Sequence, residues 1–173
     1  MLSDQIANIN NYVILVNDKD QPIGEMGKLE VHKKGLLHRA FSTFIFNDKG
    51  QLLLQRRAKT KYHSANLWTN TCCSHPQPGD CTLDAAKRRL KEEMGIETDL
   101  EKKFDFIYRA RLDNNLIEYE CDHVFTGRYN QQPDLNSEEA SDYRWISINE
   151  LKDEIKLYPE KFTEWLKIAI HSF

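Results

Sequence analysis

Thr82-Leu83-Asp84-Ala85-Ala86-Lys87-Arg88-Arg89-Leu90-Lys91-Glu92-Glu93-Met94-Gly95 is the clearest helix in the chain, and strand-like segments lie on both sides of it. Leu83, Ala86 and Leu90 recur at helical spacing, Asp80 or Thr82 offers an N-terminal cap, and Gly95 supplies a stop. Its end is electrically odd. Glu92 and Glu93 occupy the last turn, where the helix dipole already presents partial negative charge and prefers cations. As i,i+4 surface pairs, Arg88 with Glu92 and Arg89 with Glu93 would contribute only about 0.2–0.5 kcal/mol each.

Outward from this helix the chain alternates. Residues 12–16 and 41–46 read as strands, Asn47-Asp48-Lys49-Gly50 as a reversal, and 51–55 as the returning arm of a hairpin. Residues 59–79 show little periodicity, and so long an irregular stretch is more often functional than empty. Beyond the helix come strands near 104–111, 117–127 and 143–148, then helices near 148–155 and 159–171. Strands and helices intermixed in this way predict an α/β or α+β fold, a mixed β-sheet covered by helices. The 173 residues suit one domain, residues 1–173.

With 40% hydrophobic and 29% charged residues and a net charge of −3, the composition gives no nucleic-acid footprint. No apolar run reaches the roughly 18 residues of a membrane span. Met1-Leu2-Ser3-Asp4-Gln5 lacks the basic and apolar regions of a signal peptide, so a cytoplasmic protein with reduced thiols is expected. A monomer or weak dimer is expected, with no nucleic-acid or membrane partner.

Chemistry concentrates elsewhere. Glu118-Tyr119-Glu120 lies in an apolar strand-like stretch, where alternation aims both carboxylates at one face. Two buried anions need a cation. His32, His38 and His75 are candidate metal ligands: the first two flank a short Gly35-containing loop, and the third lies in the irregular segment. His123 falls on the opposite strand face from the carboxylates, and His63 and His171 have no partner legible in the sequence. Cys73-Ser74-His75 can be a ligand pair, a nucleophile with its base, or a proton donor and acceptor at the edge of a metal; Cys72 points the other way if the segment is extended.

Gly79-Asp80 followed by Arg88-Arg89-Leu90-Lys91-Glu92-Glu93-Met94-Gly95-Ile96 resembles the Nudix box, with two departures. Arg89 stands where Nudix hydrolases carry a metal-binding Glu, and Asp80 replaces an earlier Glu. Trp68-Thr69-Asn70-Thr71-Cys72-Cys73-Ser74-His75-Pro76, Leu36-Leu37-His38-Arg39-Ala40-Phe41-Ser42, Tyr108-Arg109-Ala110 and Glu118-Tyr119-Glu120 join that helix in an order similar to the type I isopentenyl-diphosphate isomerases. The resemblance implies a Nudix-like sheet sandwiched between helices. It also implies one divalent metal (Mn²⁺, Mg²⁺ or Zn²⁺) on His32, His38, His75, Glu118 and Glu120, and Mg²⁺ held by Glu93 against the diphosphate of a small-molecule substrate. Lys28, Arg57, Lys61 and Arg89 match the diphosphate-binding basic residues, with the backbone near Ser74 assisting.

The reaction implied by the resemblance is protonation of isopentenyl diphosphate at its terminal methylene, then proton loss from the neighbouring carbon of a tertiary carbocation to give dimethylallyl diphosphate. Glu120, aided by Tyr108, matches the acid on one face and Cys73 the base on the other. Trp165 matches the aromatic that faces the cation, although its spacing with Phe162 and Ala169 also fits a core position. Two alternatives stand beside this: a Nudix-type diphosphohydrolase, favoured by Glu92-Glu93 and opposed by Arg89, and a non-enzymatic metal-binding module.

Overall fold

The computed structural model describes residues 11–173; the Met1–Gln5 stretch read above for a leader lies outside the described residues. A nine-stranded mixed sheet organises the fold around one strand, β3 (His38–Phe46). This strand is flanked by β1 (Tyr12–Val16), which forms a ribbon with β2 (Pro22–Gly27), and by β4 (Gln51–Arg57). Further partners are β5 (Trp68–Thr69), paired with β4, and β6 (Cys72–Ser74), paired with β3. The long hairpin of β7 (Glu101–Arg111) and β8 (Ile117–Arg128) docks through β8, and β9 (Ala140–Ser147) pairs with β4.

The β3–β8 ladder is parallel while the other ladders are antiparallel. Its register sets His38 beside Glu120, and the β7–β8 register sets Tyr108 beside Glu120. The β3–β6 register sets Ser42 beside Cys73. Residues far apart in sequence thus reach one face through backbone pairing alone.

Alternation divides the core. Phe41, Ile45, Leu53 and Phe125 join Ala85, Ala86, Leu90 and Met94 of α2 (Thr82–Met94) on one face. Phe44, Leu52, Leu54 and Val124 join Leu151 of α3 (Ile148–Leu157) and Leu166 of α4 (Glu164–Ala169) on the other. The short α1 (Lys28–Lys34) precedes β3. The sheet is therefore covered by helices on both faces, the α+β arrangement expected.

Some local expectations change. Helix α2 has the predicted span, but its N-cap is Cys81, with no side-chain cap bond; Asp80 instead accepts from Gln77 N at 2.9 Å and from Arg88 at 2.7 Å. The expected continuous helix over 159–171 is broken at Thr163, because this segment bonds to the sheet: Thr163 N donates to Trp68 O at 3.0 Å and Phe162 bridges Trp68. The hairpin at 47–50 forms, with Gly50 at φ 73°, but β3 and β4 share a single register pair before diverging towards other partners. At the end of α2, Gly95 has φ 65°, and a Cβ there would lie 2.8 Å from Asp134 O.

Candidate active site and metal centre

His32 sits on α1, which Gly35 ends in a left-handed conformation so that the chain can turn into β3 at His38. Both imidazoles are wholly buried, and each spends Nδ1 on a backbone carbonyl: His32 on Lys28 O at 2.6 Å, His38 on Leu36 O at 2.9 Å. Such bonds fix the tautomer and turn Nε2 inward, as in metal-ligating histidines generally. His38 Nε2 lies 3.2 Å from His75 Nε2 and 3.3 Å from Glu120 Oε1, and His75 Nε2 lies 2.7 Å from Glu120 Oε1. His32 Nε2 is 3.4 Å from Glu118 Oε1.

Described residues therefore include two donor groups able to hold a divalent ion: His32, His38, His75 and Glu120, and His32, His63 and Glu118. The donor set fits the ion that the sequence implied. Two buried atoms with no hydrogen-bond partner, Glu118 Oε2 and His75 Nδ1, lie in this same cluster, and a buried carboxylate oxygen without a partner is costly unless an ion answers it. A further group, Asp20, Cys121 and His123, lies on the other strand face, with Asp20 bonded to Arg39 at 2.7 Å and to His123 at 2.7 Å.

A cavity of about 560 Å³ opens beside the cluster. Lys28, Arg57, Lys61, Ser74, Arg89 and Trp165, the residues matched to substrate binding, all line it, as do Cys73, Glu93, Glu118 and Glu120. Cys73 faces the cavity while Cys72 is wholly buried in the core beside Phe41, the opposition that an extended segment requires. Trp165 resolves its two readings together: it is only 3% exposed, yet it lines the cavity, stacked near the Arg57 guanidinium at 5.3 Å. Its indole N–H donates to Asn70 Oδ1 at 3.1 Å, and Asn70 Nδ2 donates to Thr43 O and Cys72 O, which ties the aromatic wall to the cysteine strand.

Helix α2 brings the basic and acidic groups into register. Arg89 donates to Glu92 at 2.6 Å and Glu93 at 2.8 Å, while Gln55 donates to Glu93 Oε2 at 3.0 Å. The expected Arg88–Glu92 pair does not form, because Arg88 turns back to Asp80. Glu139, which sequence reasoning missed, accepts from Lys61 and lies 3.2 Å from Arg89. It belongs to no motif, and only the turn before β9 brings it here.

Proton-bearing groups occupy two arms. Tyr108 Oη donates to Glu120 Oε2 at 2.8 Å, and burial pushes its hydroxyl well above the ordinary value. Burial raises the Glu120 carboxyl too, but hydrogen bonds to Glu118 and His38 and the imidazole charges overcome that and hold it at about 2. Burial pushes the Cys73 thiol up to about 12 against the pull of Arg57. The resting site thus keeps protons on Cys73 and Tyr108 and an ionised Glu120.

Fold and site together define a Nudix-type domain with a His/Glu centre in place of an uninterrupted run of box carboxylates, and the NUDIX domain family model matches residues 36–166. The chain is 52% identical over 163 residues to isopentenyl-diphosphate Delta-isomerase 2 of Photorhabdus laumondii, covering 94% of this chain and 92% of that protein. It is 51% identical over 157 residues to isopentenyl-diphosphate Delta-isomerase of Pectobacterium atrosepticum, covering 91% and 88%. The chain belongs to the isopentenyl-diphosphate Delta-isomerase family. In fold alone it is similar to a crystal structure of a Deinococcus radiodurans protein, with TM-score 0.78, 20% identity, and 93% and 98% of the two chains covered. A MutT protein from Methanosarcina mazei superposes with TM-score 0.63 at 19% identity, covering 79% of this chain and 91% of that one.

Proposed function

We propose that this chain interconverts isopentenyl diphosphate and dimethylallyl diphosphate, acting on a small-molecule diphosphate in isoprenoid biosynthesis. The observation that carries the reading is the cavity lined by Cys73 and by Glu120, whose carboxylate accepts from the buried Tyr108 behind it, together with Lys28, Arg57, Lys61 and Arg89. Basic side chains suit a diphosphate through charge-assisted hydrogen bonds. Buried walls suit a carbocation that water would trap.

In this reading Lys28, Arg57, Lys61 and Arg89 bind the diphosphate with the Ser74 backbone, and Arg89 releases part of its hold on Glu92, Glu93 and Glu139 as the anion arrives. Glu93 keeps free lone pairs beyond those given to Gln55 and Arg89, enough to share a Mg²⁺ carried by the diphosphate. His32, His38, His75, Glu118 and Glu120 would hold one divalent ion. That ion, when bound, neutralises the paired carboxylates and acidifies protons near them.

A proton goes to the terminal methylene from the Tyr108–Glu120 arm, and Cys73 Sγ takes one from the neighbouring carbon on the opposite face. Trp165 presents its ring to the developing positive charge. With its thiol raised to about 12, Cys73 must first release its own proton to solvent through the open cavity before it accepts another from the substrate, and Arg57 is the neighbour that favours the thiolate. The whole chain acts as one catalytic domain, in the cytoplasm, where its free cysteines stay reduced.

The test is incubation of the metal-loaded protein with isopentenyl diphosphate and Mg²⁺ in D₂O, followed by NMR. Deuterated dimethylallyl diphosphate is the expected product. Release of phosphate without allylic product would instead establish a diphosphohydrolase, and neither product from folded, metal-loaded protein would leave a metal-binding module.

A further inference from the structure

His63 lies in the connection between β4 and β5 and is only 4% exposed. Its backbone is pinned: Arg57 Nη2 donates to His63 O at 3.2 Å, Arg57 Nε to Ser64 O at 3.1 Å, and Ser64 N to Asp113 Oδ1 at 2.9 Å. Its Nδ1 is 3.1 Å from Ser64 Oγ, which leaves Nε2 as the free ring nitrogen. That nitrogen points at Glu118 Oε2, 3.9 Å away, a buried carboxylate oxygen without a hydrogen-bond partner.

His32 belongs both to the group with His63 and Glu118 and to the group with His38, His75 and Glu120. Its Nδ1 is committed to Lys28 O, so Nε2 offers one lone pair, and one lone pair serves one ion. A single ion at this cluster would therefore draw on both groups, whose donors taken together spread wider than the 4.8 Å that bounds each group alone. Octahedral bonds of about 2.1 Å place adjacent donors about 3.0 Å apart and opposite donors about 4.2 Å apart. The donor atoms within each group all lie within 4.8 Å of one another, and the His32 ring centroid is 5.6 Å from that of His63, the same separation as from His75.

We propose that His63 Nε2 is a direct donor to the ion at His32 and Glu118, so that this site offers four imidazoles and two carboxylates. The inference rests on the reading of His32, His38, His75, Glu118 and Glu120 as ligands of one ion. So nitrogen-rich a set selects a transition ion of the Mn²⁺-to-Zn²⁺ series over Mg²⁺, whose preference is for oxygen.

Titration of the metal-free protein with Co²⁺ alone, followed by proton NMR, counts the imidazoles. Each histidine bound through Nε2 carries its remaining Nδ1 proton as an exchangeable signal displaced far outside the ordinary range by the paramagnetic ion. The wild type is expected to show one such signal more than His63→Gln, and the variant to bind Co²⁺ at least tenfold more weakly. Equal numbers of displaced signals in folded wild type and variant would overturn the proposal while leaving the five-ligand reading intact. Absence of stoichiometric Co²⁺ binding to the wild type would overturn both. If His63→Gln does not fold, the wild type decides alone: more than three displaced signals support the fourth imidazole, and three or fewer reject it.

Discussion

Arg89 donates to Glu93 Oε1 at 2.8 Å across one turn of α2, so the buried carboxylate beside the cavity is already matched by a cation from its own helix. Removing the guanidinium in Arg89→Ala leaves Glu93, which is only 5% exposed, with the neutral amide of Gln55 as donor and its charge unmatched by Arg89. Loss of one partner from such a pair costs about 1–3 kcal/mol, and Arg89 also lines the cavity. The expected outcome is a lower denaturation midpoint together with at least a tenfold fall in kcat/KM, carried mainly by KM. A variant with unchanged KM would remove Arg89 from diphosphate binding.

Cys73→Ala and Glu120→Gln are both expected to abolish turnover, for different reasons. The cysteine variant should keep its metal content and melting temperature, because the Cys73 side chain faces the cavity while the core-filling thiol is Cys72. Glu120→Gln should stay inactive even with metal restored, whereas Glu118→Gln should chiefly weaken metal binding. Glu92→Gln, at an exposed position, should be mild. Metal analysis and steady-state assays on the four proteins separate these outcomes, and equal losses at Glu92 and Glu120 would show the cluster to be misassigned.

Metal removal should lower stability measurably. A ligand that binds only the folded chain at 100 times its Kd stabilises by about 2.7 kcal/mol, and here it also answers the unpartnered Glu118 Oε2. Chelation followed by readdition of Mn²⁺ should shift the denaturation midpoint down and then back. A midpoint indifferent to both would place the ion outside the folded core.

Asn70 joins Trp165 to the cysteine strand through its amide. Asn70→Ala leaves the indole N–H without its acceptor and removes a donor from Thr43 O and Cys72 O, a combined loss of about 2–4 kcal/mol at the usual cost per buried unpaired group. Urea denaturation measures it. A loss below 1 kcal/mol would mean that neighbouring groups or water replace the amide.

Acid stability provides a further check, on the opposite sheet face. Burial raises the Asp20 carboxyl, but the hydrogen bond from Arg39 and the charge of His123 outweigh it and hold the group below its ordinary 3.8. A carboxyl depressed in the folded state contributes stability above its unfolded pKa, and that contribution is lost as pH falls through the lower folded value. Asp20→Asn should therefore be less stable than wild type at pH 6, with the difference shrinking below pH 4 in parallel denaturation curves.

How much of this was legible in the sequence differs by element. The span of α2 was, because periodicity and Gly95 are local signals, and so was the common face of Glu118 and Glu120, because strand alternation is local too. The approach of His63 to Glu118 was not, since nothing within its neighbourhood of the sequence names Glu118 as its counterpart; only the folded β4–β5 connection does. Glu139 was missed for the same reason, and the break at Thr163 follows from pairing with Trp68, a tertiary contact that overrides helical spacing.

The parallel pairing of β3 with β8 has a consequence for how the protein comes to be folded. Ser42 and Asp122, joined by a 2.7 Å hydrogen bond, are separated by 80 positions, and the same ladder carries His38 and Glu120. Contacts so distant along the chain form only after the entropy of closing a long loop has been overcome, which slows folding. The His/Glu cluster is then a late product of folding: no short fragment of the chain contains it, and a divalent ion added to the unfolded chain would find scattered histidines in place of a template. The order of events should be sheet first and metal second.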